Sequence, residues 1–323
     1  MLRSRTFSIA LVMATCTPGL AQAQDDCDAG EVSRIAASAT LGYTESRVLG
    51  PPTFDVGEDL HTERFAWEVA ATTLLVSARF VLLPWLDVSA DSGAVAAIID
   101  DGFGSHTRLR PANPVIAGHA RAETGDALFR LGVGVVVPVA MDFDDGCVSR
   151  EIAGIVTCST GTEVTYMMAR AMVGNWEGFR WWPNRAGVVL SVQATIEATA
   201  ELELGADAHV AVMAPVREGD HHSTSARFPL GLAMEASWRP VSVLLVGLRM
   251  QLAHEPSDRW PLWPDVSIGP VAGVALGHNR IAVRAQIPLD QPAGDALWTA
   301  PHWGVLLSWE WLERSAGEEA DAE

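Results

Sequence analysis

Apolar and polar residues alternate strictly along several short segments joined in pairs by tight turns. In the clearest, Val188, Leu190, Val192, Ala194 and Ile196 share one side, and Val189, Ser191, Gln193, Thr195 and Glu197 the other. After a short break, Leu202, Leu204, Ala206, Ala208, Val210 and Val212 alternate with Glu201, Glu203, Gly205, Asp207, His209 and Ala211. A period of two puts successive side chains on opposite faces of a strand. These segments therefore predict a hairpin with one greasy face and one ionisable face.

The grammar recurs downstream. Leu230, Leu232, Met234, Ala236 and Trp238 oppose Glu235, Ser237 and Arg239; Pro240, which cannot donate to a ladder, marks the turn. The return strand sets Leu244, Val246, Leu248, Met250 and Leu252 against Arg249 and Gln251. Strands follow over Asp265–Leu276, over Ile281–Ile287 with Arg284 and Gln286 on the polar face, and over Trp303–Leu312 with Ser308 and Glu310 on it. Upstream, Phe129 to Val137 alternates with Arg130, Gly132 and Gly134 on the polar side, and Leu86, Val88 and Ala90 alternate with Asp87 and Ser89. Phe65 to Phe80 reads as one long strand with a phase slip, because Glu68 and Arg79 fall on opposite faces; a bulge would explain it. Ala112–Ala120 and Val32–Tyr43 carry the pattern at fewer positions.

Connections alternate in length. Short breaks fall near 82–84, 121–126, 197–199, 239–241 and 277–279; long polar ones fall near 93–111, 139–185, 214–227, 254–264 and 289–301. Counting every segment gives twelve strands and dropping the two sparse ones gives ten. An even number puts both termini on the short-turn side. The segment 139–185 exceeds an ordinary loop. From Tyr166 to Trp182 it has helical composition, suiting a surface lid or a helix folded into a mouth.

The N-terminus reads as a secretory leader over 1–23: Arg3 and Arg5, an apolar stretch Phe7–Ala14, then Ala21-Gln22-Ala23 as cleavage site. Processing at Cys16 is the alternative, with Met13-Ala14-Thr15 a poor lipobox. Behind such a leader, the alternation fits a membrane barrel with a wet interior, residues 24–312, as well as a secreted β-sandwich whose apolar faces meet each other. Three details favour the barrel. The apolar faces are mostly Val, Leu and Ala; Trp67, Trp85, Trp238, Trp303 and Trp311 sit near strand ends, where a bilayer interface favours them; and the polar faces mix both charges. The predicted fold class is all-β, a transmembrane up-and-down antiparallel β-barrel located in the cell outer membrane. A disordered acidic tail, 313–323, follows it.

The chain resembles Gram-negative outer-membrane β-barrels in this hairpin grammar, in Gly125-Asp126-Ala127-Leu128-Phe129-Arg130-Leu131-Gly132-Val133-Gly134, and in the aromatic last strand. The Gly-Asp start is similar to barrels of the long-chain fatty-acid/aromatic-hydrocarbon transporter type. Members of that family are usually longer, their N-terminal plug motif is not evident here, and the tail past Leu312 departs from barrels that end on an aromatic residue. The resemblance implies passage of small solutes, apolar ones included.

A net charge of −18 argues against nucleic acid as a partner, since phosphates need a basic surface. Expected partners are outer-membrane lipid and lipopolysaccharide, the barrel-assembly machinery and a small solute. Cys147 and Cys158 bracket a polar loop and predict a disulfide, leaving Cys27 unpaired. No metal site, cofactor or enzyme activity is expected. Asp142, Asp144, Asp145 and Gly146 have the wrong spacing for a calcium loop, and His221-His222 beside Asp220 and Glu218 read as a solvated loop. His221 and Ser223 faintly resemble the His/Ser arrangement of lipid A deacylases, which keeps a lipid-modifying barrel as a minority reading. The candidate functional residues are those assigned to the lumen: Arg130, Gln193, Glu201, Glu203, Asp207, His209, Glu235, Arg249, Arg284, Gln286 and Glu310. They line a conduit, or they pair with one another and fill a plugged structural or adhesive barrel.

Overall fold

In the computed structural model the described residues are 35–49, 66–100, 105–140, 150–152, 155–157, 165–166, 168–169, 177–216, 226–241, 243–254, 265–276, 279–289 and 303–312. The leader, Cys27, Cys147, Cys158, the Asp142–Asp145 cluster, His221-His222 and the tail lie outside them.

Alternation becomes strand wherever it was read. The chain lays down β1 (Ile35–Leu49), β2 (Ala66–Leu83), β3 (Leu86–Asp100), β4 (Ser105–Pro111), β5 (Val115–Thr124), β6 (Ala127–Val136), a small ribbon of β7 (Arg150–Ile152) and β8 (Ile155–Thr157), then β9 (Arg185–Thr199), β10 (Leu202–Pro215), β11 (Leu230–Val241), β12 (Leu244–His254), β13 (Asp265–Leu276), β14 (Asn279–Pro288) and β15 (Trp303–Leu312). Twelve of these pair antiparallel in sequence order. The ring closes where β15 pairs with β1, Trp309 opposite Ala39, so no edge is left within it. β4 lies outside the ring, continuing the line of β5 along the far half of β3.

The outer face is the apolar one. Leu190 is 50% exposed and Val192 51%, while Val189 beside them is buried. From Val188 to Ile196 the outward apolar run covers about 20 Å along the barrel axis, at roughly 2.6 Å per tilted residue, close to the ~25 Å lipid-facing band of such barrels. Aromatic residues rim it: Phe80, Trp85 and Trp238 near the short turns, Phe228 and Trp303 near the long loops, all exposed. At the β5–β6 turn Gly125 has φ 56°, a left-handed position that glycine occupies without steric cost.

Two expectations change here. β2 carries no phase slip: its register against β3 runs unbroken from Glu68↔Asp100 to Val81↔Asp87. Arg79 points inward, while Glu68 is exposed opposite exposed Asp100 at the long-loop end. The stretch near 93–111 is not a loop either. β3 extends to Asp100 and β4 folds back on it, and β3 is apolar on both faces where Val95, Ala97 and Ile99 turn inward beside Ala94, Ala96 and Ile98. A strand buried on both sides loses its period-two signature.

Candidate functional site: the lumen and the segment folded into its mouth

What those inward apolar residues pack against is the 139–185 segment. Thr165, Tyr166, Met168 and Ala169 have helical backbone, and Gly178–Trp181 forms a 3-10 turn. Tyr166, Met168, Ala169 and Trp181 are buried against Val69, Ala71, Val95, Ala97 and Ile99 on the inner faces of β2 and β3. Phe179 and Trp182 are buried against Val115, Val136, Val189, Ala211 and Met213 of β5, β6, β9 and β10. The described residues of this segment thus lie against the inner wall of the barrel.

The dip is bracketed by left-handed residues, Glu177 (φ 52°) and Asn184 (φ 54°), which turn the chain in and out. Polar contacts fasten it. Asn113, in the break between β4 and β5, donates its amide to the Trp182 carbonyl (2.8 Å) and accepts from the backbone N–H of Val139 (2.9 Å) and Ala140 (2.7 Å). Arg180 reaches Glu177 (2.9 Å) and Asp91 on β3 (3.3 Å). The Arg227 guanidinium lies over the Trp182 ring, 5.3 Å from its centre. Burying a large apolar side chain contributes about 1.5–3 kcal/mol, so Met168, Phe179, Trp181 and Trp182 together hold the segment in as a resting state.

Beneath it lies a small, partly open cavity of ≈ 60 Å³. Its roof is Glu177, Phe179 and Arg180; its walls come from β2, β3, β5, β6, β9 and β10. Gly132 opens one wall: a Cβ there would lie 2.4 Å from both the His119 ring and the Ser191 hydroxyl. Phe179 meets His209 edge-on at 5.5 Å.

Further toward the short turns, ionised side chains pair across neighbouring strands. Asp87, almost wholly buried, collects His119 Nδ1 at 2.9 Å, Arg130 Nε at 3.4 Å and Arg79 Nε at 3.9 Å. On the opposite wall Arg249 joins Glu235 (3.2 Å) and Asp207 (3.3 Å), and the Ser237 hydroxyl donates to Glu235 (3.2 Å). Arg239 meets Glu203 at 2.8 Å and Arg280 meets Glu310 at 3.9 Å. The Gln286 amide donates to the Ser267 hydroxyl. Arg284 differs: its Cγ and Cδ lie in the space left by Gly269, and no described carboxylate stands within ion-pair distance of its guanidinium.

Of the candidate residues, Arg130, Glu203, Asp207, Glu235, Arg249, Arg284, Gln286 and Glu310 are buried on the inner face, and Gln193, Asp207 and His209 line the cavity. Glu201 is the exception. It sits in the β9–β10 turn, exposed, where its carboxylate accepts from the Trp238 indole N–H (3.3 Å). The register shifts between Leu202 and Glu203, which ends the alternation one residue after Glu201. Residues not singled out from sequence are Arg79, Asp87, Asp91, His119, Arg239 and Arg280, together with Phe179 and Arg180. The first six follow from strand parity once its phase is known. Nothing in the local sequence says that Phe179 and Arg180 dip inward.

Ser191, His119 and Asp87 have the residue types of a nucleophile, base and orienting acid. Two features oppose that use. Asp87 is shared with two arginines, and wall N–H groups are engaged in the ladder, so they cannot form an oxyanion hole.

No protein-family model matches the sequence, and neither does any curated protein. Among solved structures the chain is similar to an outer membrane channel from Pseudomonas putida F1, at 9% identity over 90% of this chain and 100% of that one, TM-score 0.52. It is also similar to the NanC porin (9% identity, 85% of this chain and 98% of that one, TM-score 0.48) and to a Pseudomonas aeruginosa FadL homologue (10%, 86% and 90%, TM-score 0.40). At these identities the likeness is one of fold: the outer-membrane β-barrel, the type to which the hairpin grammar bears its resemblance.

Proposed function

We propose that this outer-membrane barrel carries a small solute passively across the membrane, with the inserted stretch from Glu177 to Trp182 gating the external mouth. The observation that carries the reading is the polar cavity inside the barrel, roofed by Phe179 and Arg180 of the inserted segment. The barrel sits in lipid and lipopolysaccharide after delivery by the assembly machinery, works without a cofactor and catalyses no reaction. In this reading the long loops face outward and both termini face the periplasm.

The test is single-channel recording on refolded, full-length protein in a planar bilayer. Conductance is expected to be small and intermittent, because the buried segment narrows the mouth at rest. Silent insertion, with no solute uptake into proteoliposomes, would overturn the reading. A second reading, a closed structural or adhesive barrel, draws on the buried ion pairs around Asp87 and Arg249, which fill much of the lumen. Silence in the same recording would favour it.

A further inference from the structure

We propose that the cavity beneath the inserted segment recognises the hydroxyl groups of a small, uncharged solute, a polyol or monosaccharide; this rests on the reading of the barrel as a conduit. The charges around the cavity are spent on each other. Arg180 is held by Asp91 and Glu177, Arg79 and His119 by Asp87, and Asp207 by Arg249. A charged solute that took one of these groups would strand its partner's charge in an enclosed space.

The capacity left over is neutral. Ser77 and Ser89 on β2 and β3, and Ser191 and Gln193 on β9, line the cavity and make no hydrogen bond to another described residue. Three hydroxyls and a carboxamide offer donors and acceptors in both directions. Ala117 and Gly134 complete the lining between the two pairs. Phe179 in the roof supplies an apolar plane for C–H faces. A hydrocarbon filling the same space would leave those four groups without hydrogen-bond partners. The solute class implied by the fatty-acid/hydrocarbon resemblance therefore does not suit this chamber.

The experiment uses the refolded full chain in a planar bilayer in potassium chloride, with D-glucose, gluconate, glycine or toluene added to one side. Glucose should reduce the ion current saturably, while gluconate, glycine and toluene leave it unaltered at the same concentration. Ser191→Ala and Ser77→Ala, both near-isosteric, should each raise the half-blocking glucose concentration about 5- to 10-fold, the loss of one hydrogen bond. Ion current with no saturable block by glucose, or with equal block by gluconate, would overturn the inference and leave the conduit standing. Absence of any ion current would remove both.

Discussion

Val192 lies midway along β9, opposite Ala208 near the middle of β10 and Leu131 near the middle of β6. Its side chain is 51% exposed on the outer face. If that face meets acyl chains, Val192→Arg puts a guanidinium close to the bilayer midplane. Seven residues separate it from either end of β9, roughly 18 Å along the normal at ~2.6 Å per residue, which is further than an arginine can easily snorkel. The cost for barrels at that depth is about 2–4 kcal/mol. If the same residue stood on the surface of a water-soluble β-protein, the substitution would fall within about 0.5 kcal/mol of neutral. Equilibrium unfolding in guanidinium from phospholipid vesicles, followed by tryptophan emission, separates the cases. A midpoint shift worth less than about 0.5 kcal/mol, at unchanged slope, would refute the assignment of the outer face to lipid.

Inside the barrel the sign of the argument reverses. Arg249→Met should destabilise by about 3–5 kcal/mol in the same assay, since it strands both Asp207 and Glu235, and adding Asp207→Asn with Glu235→Gln should recover most of the loss. Gly132→Ala should cost about 1–3 kcal/mol, because the new methyl meets His119 and Ser191 together, and the dependence on Ser191 is checked by combining it with Ser191→Gly. Trp181→Ala removes a fully buried anchor of the mouth segment; open probability in single-channel records should rise, and proteolysis of the segment should accelerate. A serine-directed fluorophosphonate should leave Ser191 unlabelled, and labelling lost on His119→Ala would reverse the non-catalytic reading.

The barrel could be read from the sequence because its two solvents differ. Lipid outside and water inside keep β9 to β15 in clean period two, and the same contrast gives the face of Glu203, Asp207, Glu235, Arg249 and Arg284 directly. Reading failed where a third environment intrudes. At the far ends of β2 and β3 the interior is neither lipid nor water but the inserted segment. Val69, Ala71, Val95, Ala97 and Ile99 are apolar for that reason, and the alternation vanishes. The supposed loop near 93–111 is therefore the footprint of Trp181, Met168 and Tyr166 on the inner wall, whereas the supposed phase slip came from Glu68, exposed on the outer face at the long-loop end.

That footprint also limits what local pattern could say about function. Asp91, in phase with Asp87 and Ser89, reads as one more lumen carboxylate until Arg180 arrives from a segment 89 residues away. The cavity exists only because distant stretches meet: walls from β2, β3, β5, β6, β9 and β10, and a roof carried in on Phe179. Neither walls nor roof alone encode a site, and alternation has no means of reporting contacts at that separation. The inner charges can be predicted from strand parity, whereas their partners require the register and the fold of the mouth segment. It follows that substitutions in the roof should alter gating and solute preference together, while substitutions in the Arg249 network should alter stability first. A Phe179→Leu variant that shifted glucose block without changing opening frequency would break that link.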